Sequence, residues 1–108
     1  MQTLTYHPDT RTTTVNNCDE PDILEHLQHE VNGYVECVNC DSIGLPGIDM
    51  WVNEEGAING LPYAFTANIN HTPTPLFGNI VFARHNDDGD TTSLTDKDIK
   101  TITGMLSA

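Results

Sequence analysis

The sequence predicts an α+β fold: a single small domain with a largely antiparallel sheet of four to five strands and two to three helices packed on one face. Three observations lead there. Short β-branched or aromatic runs, among them "YVECV", "IDMWV" and "GNIVFARH", are broken by Pro, Gly, Asn and Asp. Two stretches carry apolar residues at helical spacing: Ile23, Leu24, Leu27 and Val31, then Ile99, Ile102 and Leu106. The chain has 108 residues, enough for one domain over 1–108 and no more.

The elements follow in order. "QTLTYHPDTRTTTVNN" (residues 2–17) reads as two Thr-rich strands around a His7-Pro8-Asp9 turn. Asp19 is the expected N-cap of the first helix, with Glu20, Pro21 and Asp22 in its first turn and Asn32-Gly33 as its left-handed stop. A strand from Tyr34, a loop "NCDSIGLPG" and a second strand "IDMWV" come next. Asn53-Glu54-Glu55-Gly56 is the expected tip of a hairpin, with the Asn53 side chain tying the turn, Gly56 left-handed and "AING" as a short return strand. "LPYAFTANI" suggests a brief helix from Pro62, "HTPTP" a rigid loop, "GNIVFARH" a strand and "NDDGD" a solvated turn. Thr95 and Asp98 approximate a capping box for the last helix, with Leu94 and Ile99 at the staple positions.

Charge narrows the function. Sixteen acidic residues face four basic ones (Arg11, Arg84, Lys97 and Lys100), a formal net charge of -12. Such a field repels nucleic acid and anionic membranes and favours basic partners. No run approaches a membrane span, and the polar start does not resemble a signal peptide, so a cytoplasmic location is expected. The 10 Asp and 14 Thr also fit a saline environment. The acidic groups most suited to partner contact are Glu54 and Glu55, then Asp87, Asp88 and Asp90, then Asp19, Glu20 and Asp22.

Chemical motifs are sparse. Cys37-Val-Asn-Cys40 sits at a strand end rather than a helix N-terminus, where a redox pair would be activated. Strand alternation separates the two thiols, and three cysteines in all fit reduced thiols. His26 and His29 are expected on the outward face of the first helix. Asp87, Asp88 and Asp90 start like a calcium loop but lack its later ligands. No metal, cofactor or catalytic signature is present. A small nucleotide-like ligand would find Trp51, Tyr63 and Phe65 as walls, Asn53 as anchor and Arg84 as the available base. An acid-base enzyme would have to use Glu54 or Glu55.

The order of "VNGYVECV", "MWVNEEGAINGLP", "FGNIVFA" and "LTDKDIKTI" resembles the family known as domain of unknown function 3846, small proteins mostly carried by phages and plasmids. The likeness runs from about residue 20 to 103. Its matching positions are Gly33, Tyr34, Glu36, Asn53, Glu54, Glu55, Gly56, Leu61, Pro62 and Gly78. Asn32 replaces the first of a Gly pair, and Ala64 stands where the family pattern has a polar Asn. The resemblance implies no activity. It implies an accessory protein acting inside a host cell, so the leading expectation is a non-enzymatic protein that binds a basic host protein and modulates it, with nucleic-acid mimicry as one form.

Overall fold

The computed structural model describes residues 1–41 and 44–106. The expected N-terminal hairpin is present as β1 (Gln2–His7) and β2 (Thr12–Asn17). After it come helix α1 (Ile23–Val31), β3 (Val35–Asn39) and β4 (Ile48–Asn53). A second hairpin, β5 (Tyr63–Ile69) and β6 (Thr72–Phe77), precedes β7 (Ile80–His85), the short β8 (Thr91–Thr92) and helix α2 (Asp96–Leu106). Part of the loop expected after β3, residues 42–43, lies outside the described residues.

The main sheet has six antiparallel strands, in the order β2-β1-β7-β4-β3 with β8 also on β7. Six strands already exceed the four or five expected, and β5 and β6 form a separate two-stranded sheet. The two α-helices lie on opposite faces of the main sheet, not on one. The cause is visible in β7, where Ile80, Val81, Phe82 and Ala83 are all buried, so apolar side chains of both parities need cover. On one face Leu27 and Val31 of α1 pack over Val81, with Ile23, Val35 and Trp51 around them. On the other, Leu4, Met50, Ile80 and Phe82 meet Leu76 of the second hairpin and Ile102 of α2.

Local chemistry explains both helices. Asp19 does not cap α1. A short 3-10 turn, Glu20–Asp22, intervenes, and Asp22 holds the N-cap position without a side-chain hydrogen bond. At the other end Asn32 (φ 59°) is the left-handed residue, and Asn32 and Gly33 donate to the His29 and Gln28 carbonyls, a Schellman closure. The capping box of α2 forms as expected: Thr95 N–H reaches Asp98 Oδ2 at 2.9 Å, and Asp98 N–H reaches Thr95 Oγ1 at 3.1 Å.

Four expectations fail between residues 54 and 77. "AING" is not a return strand. Residues 54–60 form consecutive turns, with Gly56 N–H on the Asn53 carbonyl and Asn59 N–H on the Glu55 carbonyl. Gly60, not Gly56, takes the positive φ. "LPYAFTANI" is mostly strand β5 and "HTPTP" largely strand β6. Asn70 and His71 (φ 52° and 65°) make the two-residue turn between them, so the Ile69–Thr72 pair closes the ladder. Counting back, Pro73 and Pro75 fall where the strand's N–H would point away from β5, so neither costs a ladder bond.

Candidate interaction surface

The Asn53 side chain is an internal tie. It is 8 % exposed. Its Nδ2 donates to the Val31 carbonyl at 2.9 Å and the Asn32 carbonyl at 3.4 Å, and its Oδ1 accepts the Glu55 N–H at 2.8 Å. Asn79 Nδ2 donates to the neighbouring Glu30 carbonyl at 2.9 Å. Two asparagines from different strand ends thus satisfy carbonyls at the C-terminus of α1, where the helix itself offers no donors.

Several positions of the family motif join the same construction. A Cβ on Gly33 would stand 2.8 Å from Asn53 Nδ2, and one on Gly56 would stand 2.8 Å from the Phe77 carbonyl. Gly78 (φ 83°) donates to the Pro62 carbonyl at 2.7 Å and lies against Leu61. Gly33, Asn53, Gly56, Leu61, Pro62 and Gly78 are therefore accounted for by close packing where the second hairpin leaves the sheet.

What this corner presents to solvent is acidic and aromatic. Glu54 and Glu55 are exposed, and the Glu54 N–H is held on the Tyr34 carbonyl at 2.9 Å. Tyr34 is 72 % exposed and Ile58 85 %. Glu54 borders a cleft of about 210 Å³ under the second hairpin, whereas Glu55 does not line it.

The acidic groups divide between the two ends of the sheet. The register Ile48↔Arg84 and Trp51↔Val81 puts the Asp87–Asp90 turn at the end opposite Glu54 and Glu55, about 20 Å away at strand rise. Asp19 and Asp22 follow Asn17, which pairs with Gln2 at that far end. All of Asp19, Asp22, Asp87, Asp88 and Asp90 are exposed; the Glu20 side chain lies outside the described ones. Asn86 organises the far turn, its Oδ1 accepting the Asp88 and Asp90 N–H groups at 3.0 Å each. Among the described residues no three His, Cys, Asp or Glu side chains are placed to hold a metal ion.

The residues of the nucleotide-like pocket are dispersed. Trp51 and Asn53 belong to the α1 face, and among the described residues the buried Trp51 Nε1 has no hydrogen-bond partner. Phe65 is on the other face, tilted against Tyr6 at 6.0 Å, beside an apolar cleft of about 310 Å³ between β5 and α2. Tyr63 packs edge-on to Phe77 at 5.8 Å. Arg84 is committed to Asp98 through two hydrogen bonds, 2.9 Å from Nε and 2.6 Å from Nη2. That fork, helped by the Thr95 donors, holds the Asp98 carboxyl down to about 2.

Three polar arrangements escape a sequence reading. His26, expected outward, meets Thr3 Oγ1 at 2.9 Å; His29 is the exposed one. Glu30 Oε1 accepts from Thr5 at 3.0 Å and Asn16 at 2.8 Å, so α1 is also tied to β1 and β2. His85 Nδ1 donates to Asp49 Oδ2 at 2.9 Å, which orients the imidazole. Near Asp49, burial and then the Asp49 charge push the Cys37 thiol up to about 11, which keeps it protonated at neutral pH. Cys40, in the core on the other side of the sheet, is pushed up to about 12, chiefly by burial. The three cysteines are free.

The fold and surface define a small antiparallel α+β domain with an acidic exterior and a tightly tied corner. The chain belongs to the family described as Domain of unknown function (DUF3846), whose model matches residues 1–107. The match takes in the N-terminal strands that the motif order alone left out. No curated protein and no solved structure is significantly similar to the chain. No helix among the described residues is long and apolar enough to cross a membrane.

Proposed function

We propose that this chain is a non-enzymatic acidic accessory protein, of phage or plasmid origin, that binds and modulates a basic host protein in the host cytoplasm. The observation that carries the reading is the uncompensated charge. Of sixteen acidic side chains, among the described residues Asp98 is paired with the Arg84 guanidinium and Asp49 is hydrogen-bonded to the His85 imidazole. The turns bearing Glu54 and Glu55, and Asp87, Asp88 and Asp90, carry no basic residue. Charge that is not spent on internal pairs is available to steer and orient a cationic partner. The far end, with Asp19, Asp22, Asp87, Asp88 and Asp90, is the better place for nucleic-acid mimicry, because more carboxylates gather there.

The test is capture of host proteins on the immobilised chain, followed by measurement of each purified partner's affinity at low and high salt. A basic partner bound roughly tenfold more weakly at high salt supports the reading. Affinity unchanged by salt refutes it.

A further inference from the structure

Strand β3 is an edge of the main sheet, and among the described residues no strand pairs with its outer side. Its pairing parity is fixed at both ends. The Glu54 N–H reaches the Tyr34 carbonyl at 2.9 Å, and the Cys40 N–H reaches the Ile48 carbonyl at 3.0 Å. Even-numbered residues from 34 to 40 therefore bond inward to β4, and the N–H and C=O groups of Val35, Cys37 and Asn39 point away from the sheet. Edges of this kind are usually blunted by Lys, Pro or a bulge. β3 reads Val-Glu-Cys-Val-Asn and pairs with β4 in unbroken register. The second hairpin, by contrast, carries Pro73 and Pro75 on β6.

A groove runs along this edge. It encloses about 440 Å³ and is bordered by Glu36, Cys37, Asn39 and Asp41, with Ile69 and Asn70 of the second hairpin's tip as the facing wall. Its charge has one sign. Glu36 and Asp41 lie on it, and Glu54 stands beside Tyr34 at its near end. The four basic residues are elsewhere: Arg11 in the β1–β2 turn, Arg84 on Asp98, and Lys97 and Lys100 on α2. Tyr34, 72 % exposed, offers a ring face to a cation.

We infer that the β3 edge is a docking site for an extended basic peptide segment of a partner, which adds to the sheet as a further strand. Main-chain bonds to Val35, Cys37 and Asn39 supply affinity without regard to sequence, and Glu36, Asp41, Glu54 and Tyr34 select Lys or Arg at alternate positions. A second copy of this chain is the disfavoured occupant, because it would bring a further charge of -12 to an edge that is already acidic. The inference rests on the acidic-partner reading above and names its partner's chemistry and geometry.

The experiment uses the full chain and short synthetic peptides alternating Val with Lys or Arg, against the same peptides carrying Glu. Amide hydrogen exchange by NMR reads the site. The basic peptide is expected to slow exchange at Val35, Cys37 and Asn39, and to bind roughly tenfold more weakly at high salt. Cys37→Pro removes one outward N–H and should abolish that binding. Glu36→Arg, at an exposed position, should weaken it in a chain whose fold is unaltered. Equal protection by the Glu peptide, an undiminished affinity in Glu36→Arg, or a β3–β3 dimer by sedimentation would each overturn strand addition. Salt-sensitive binding of the basic peptide that maps to Asp87–Asp90 would overturn the β3 site and leave the acidic-partner reading standing. Absence of binding by any basic peptide or protein would remove both.

Discussion

Asn53 Nδ2 occupies the space that a side chain at Gly33 would need, 2.8 Å from the position of its Cβ, while donating to the Val31 carbonyl at 2.9 Å. Gly33 is not in the left-handed region. Its small size is required by the asparagine, not by its own backbone. Gly33→Ala should then destabilise the fold by about 1–2 kcal/mol, the usual scale of overpacking. Asn53→Ala should cost about 1–3 kcal/mol by stripping buried carbonyls of their donor. Combined, the two should cost less than their sum, because the alanine at 53 vacates the space. Urea unfolding of the four proteins measures the coupling, and strict additivity would contradict the packing account.

Asp98 serves two elements at once, accepting from Arg84 of β7 and from Thr95 at the start of α2. Its carboxyl titrates at about 2, below the ordinary 3.8. A depressed folded value means that the contribution is complete above about pH 4 and is lost as pH falls towards 2. Asp98→Asn should lower stability by about 1–2 kcal/mol at neutral pH, allowing for the solvent around Arg84. The loss should shrink as acid is added and nearly vanish by the foot of that window. A constant deficit from pH 7 to pH 2 would instead assign the effect to shape.

The thiols act in the opposite direction. Cys37 and Cys40 hold their protons to about 11 and 12 when folded, against an ordinary 9.0. Above pH 9 the unfolded chain releases those protons and the folded one does not, so stability falls with rising pH. Cys40→Ala should flatten part of that alkaline slope in urea titrations. In alkylation at neutral pH, Cys40 should react only on unfolding, and Cys37 slowly despite its exposure. Rapid folded-state labelling of Cys37 would overturn its description as a suppressed thiol.

What the sequence discloses about this fold depends on how far each signal reaches along the chain. α2 is legible because Leu94, Thr95, Asp98 and Ile99 are near neighbours, and the box they predict forms. The carboxylates of Glu54, Glu55 and Asp87 are likewise legible as wet turns, since their solvation needs no partner. The Asn53 tie to its own turn is legible too, since the Glu55 N–H is two residues on, but its bond to the Val31 carbonyl, 22 residues away, is not. Nor is the opposition of the helices: Ile80 and Val81 announce two buried faces, but nothing local says which helix covers which. Trp51, Tyr63, Phe65 and Arg84 are plausible as a pocket only until the register assigns Trp51 and Phe65 to opposite sides of the sheet.

The second hairpin is hidden by its own turn. Pro62, Pro73 and Pro75 suggest a helix start and a loop, and the residues between β5 and β6 are Asn70-His71 in place of the common Asn-Gly. His71 sits at φ 65° with no glycine's freedom. A side chain held there costs about 1–2 kcal/mol relative to ordinary backbone, partly offset by the lower entropy of a non-glycine residue when unfolded. His71→Gly should therefore stabilise the chain by about 0.5–1 kcal/mol. His71→Val, which adds a branch at Cβ, should destabilise it. Because Leu76 of this hairpin is buried in the main core, both effects should appear in global urea unfolding and not only as local fraying. A change confined to exchange of the Ile69–Thr72 amides would show that the hairpin opens independently of the sheet it covers.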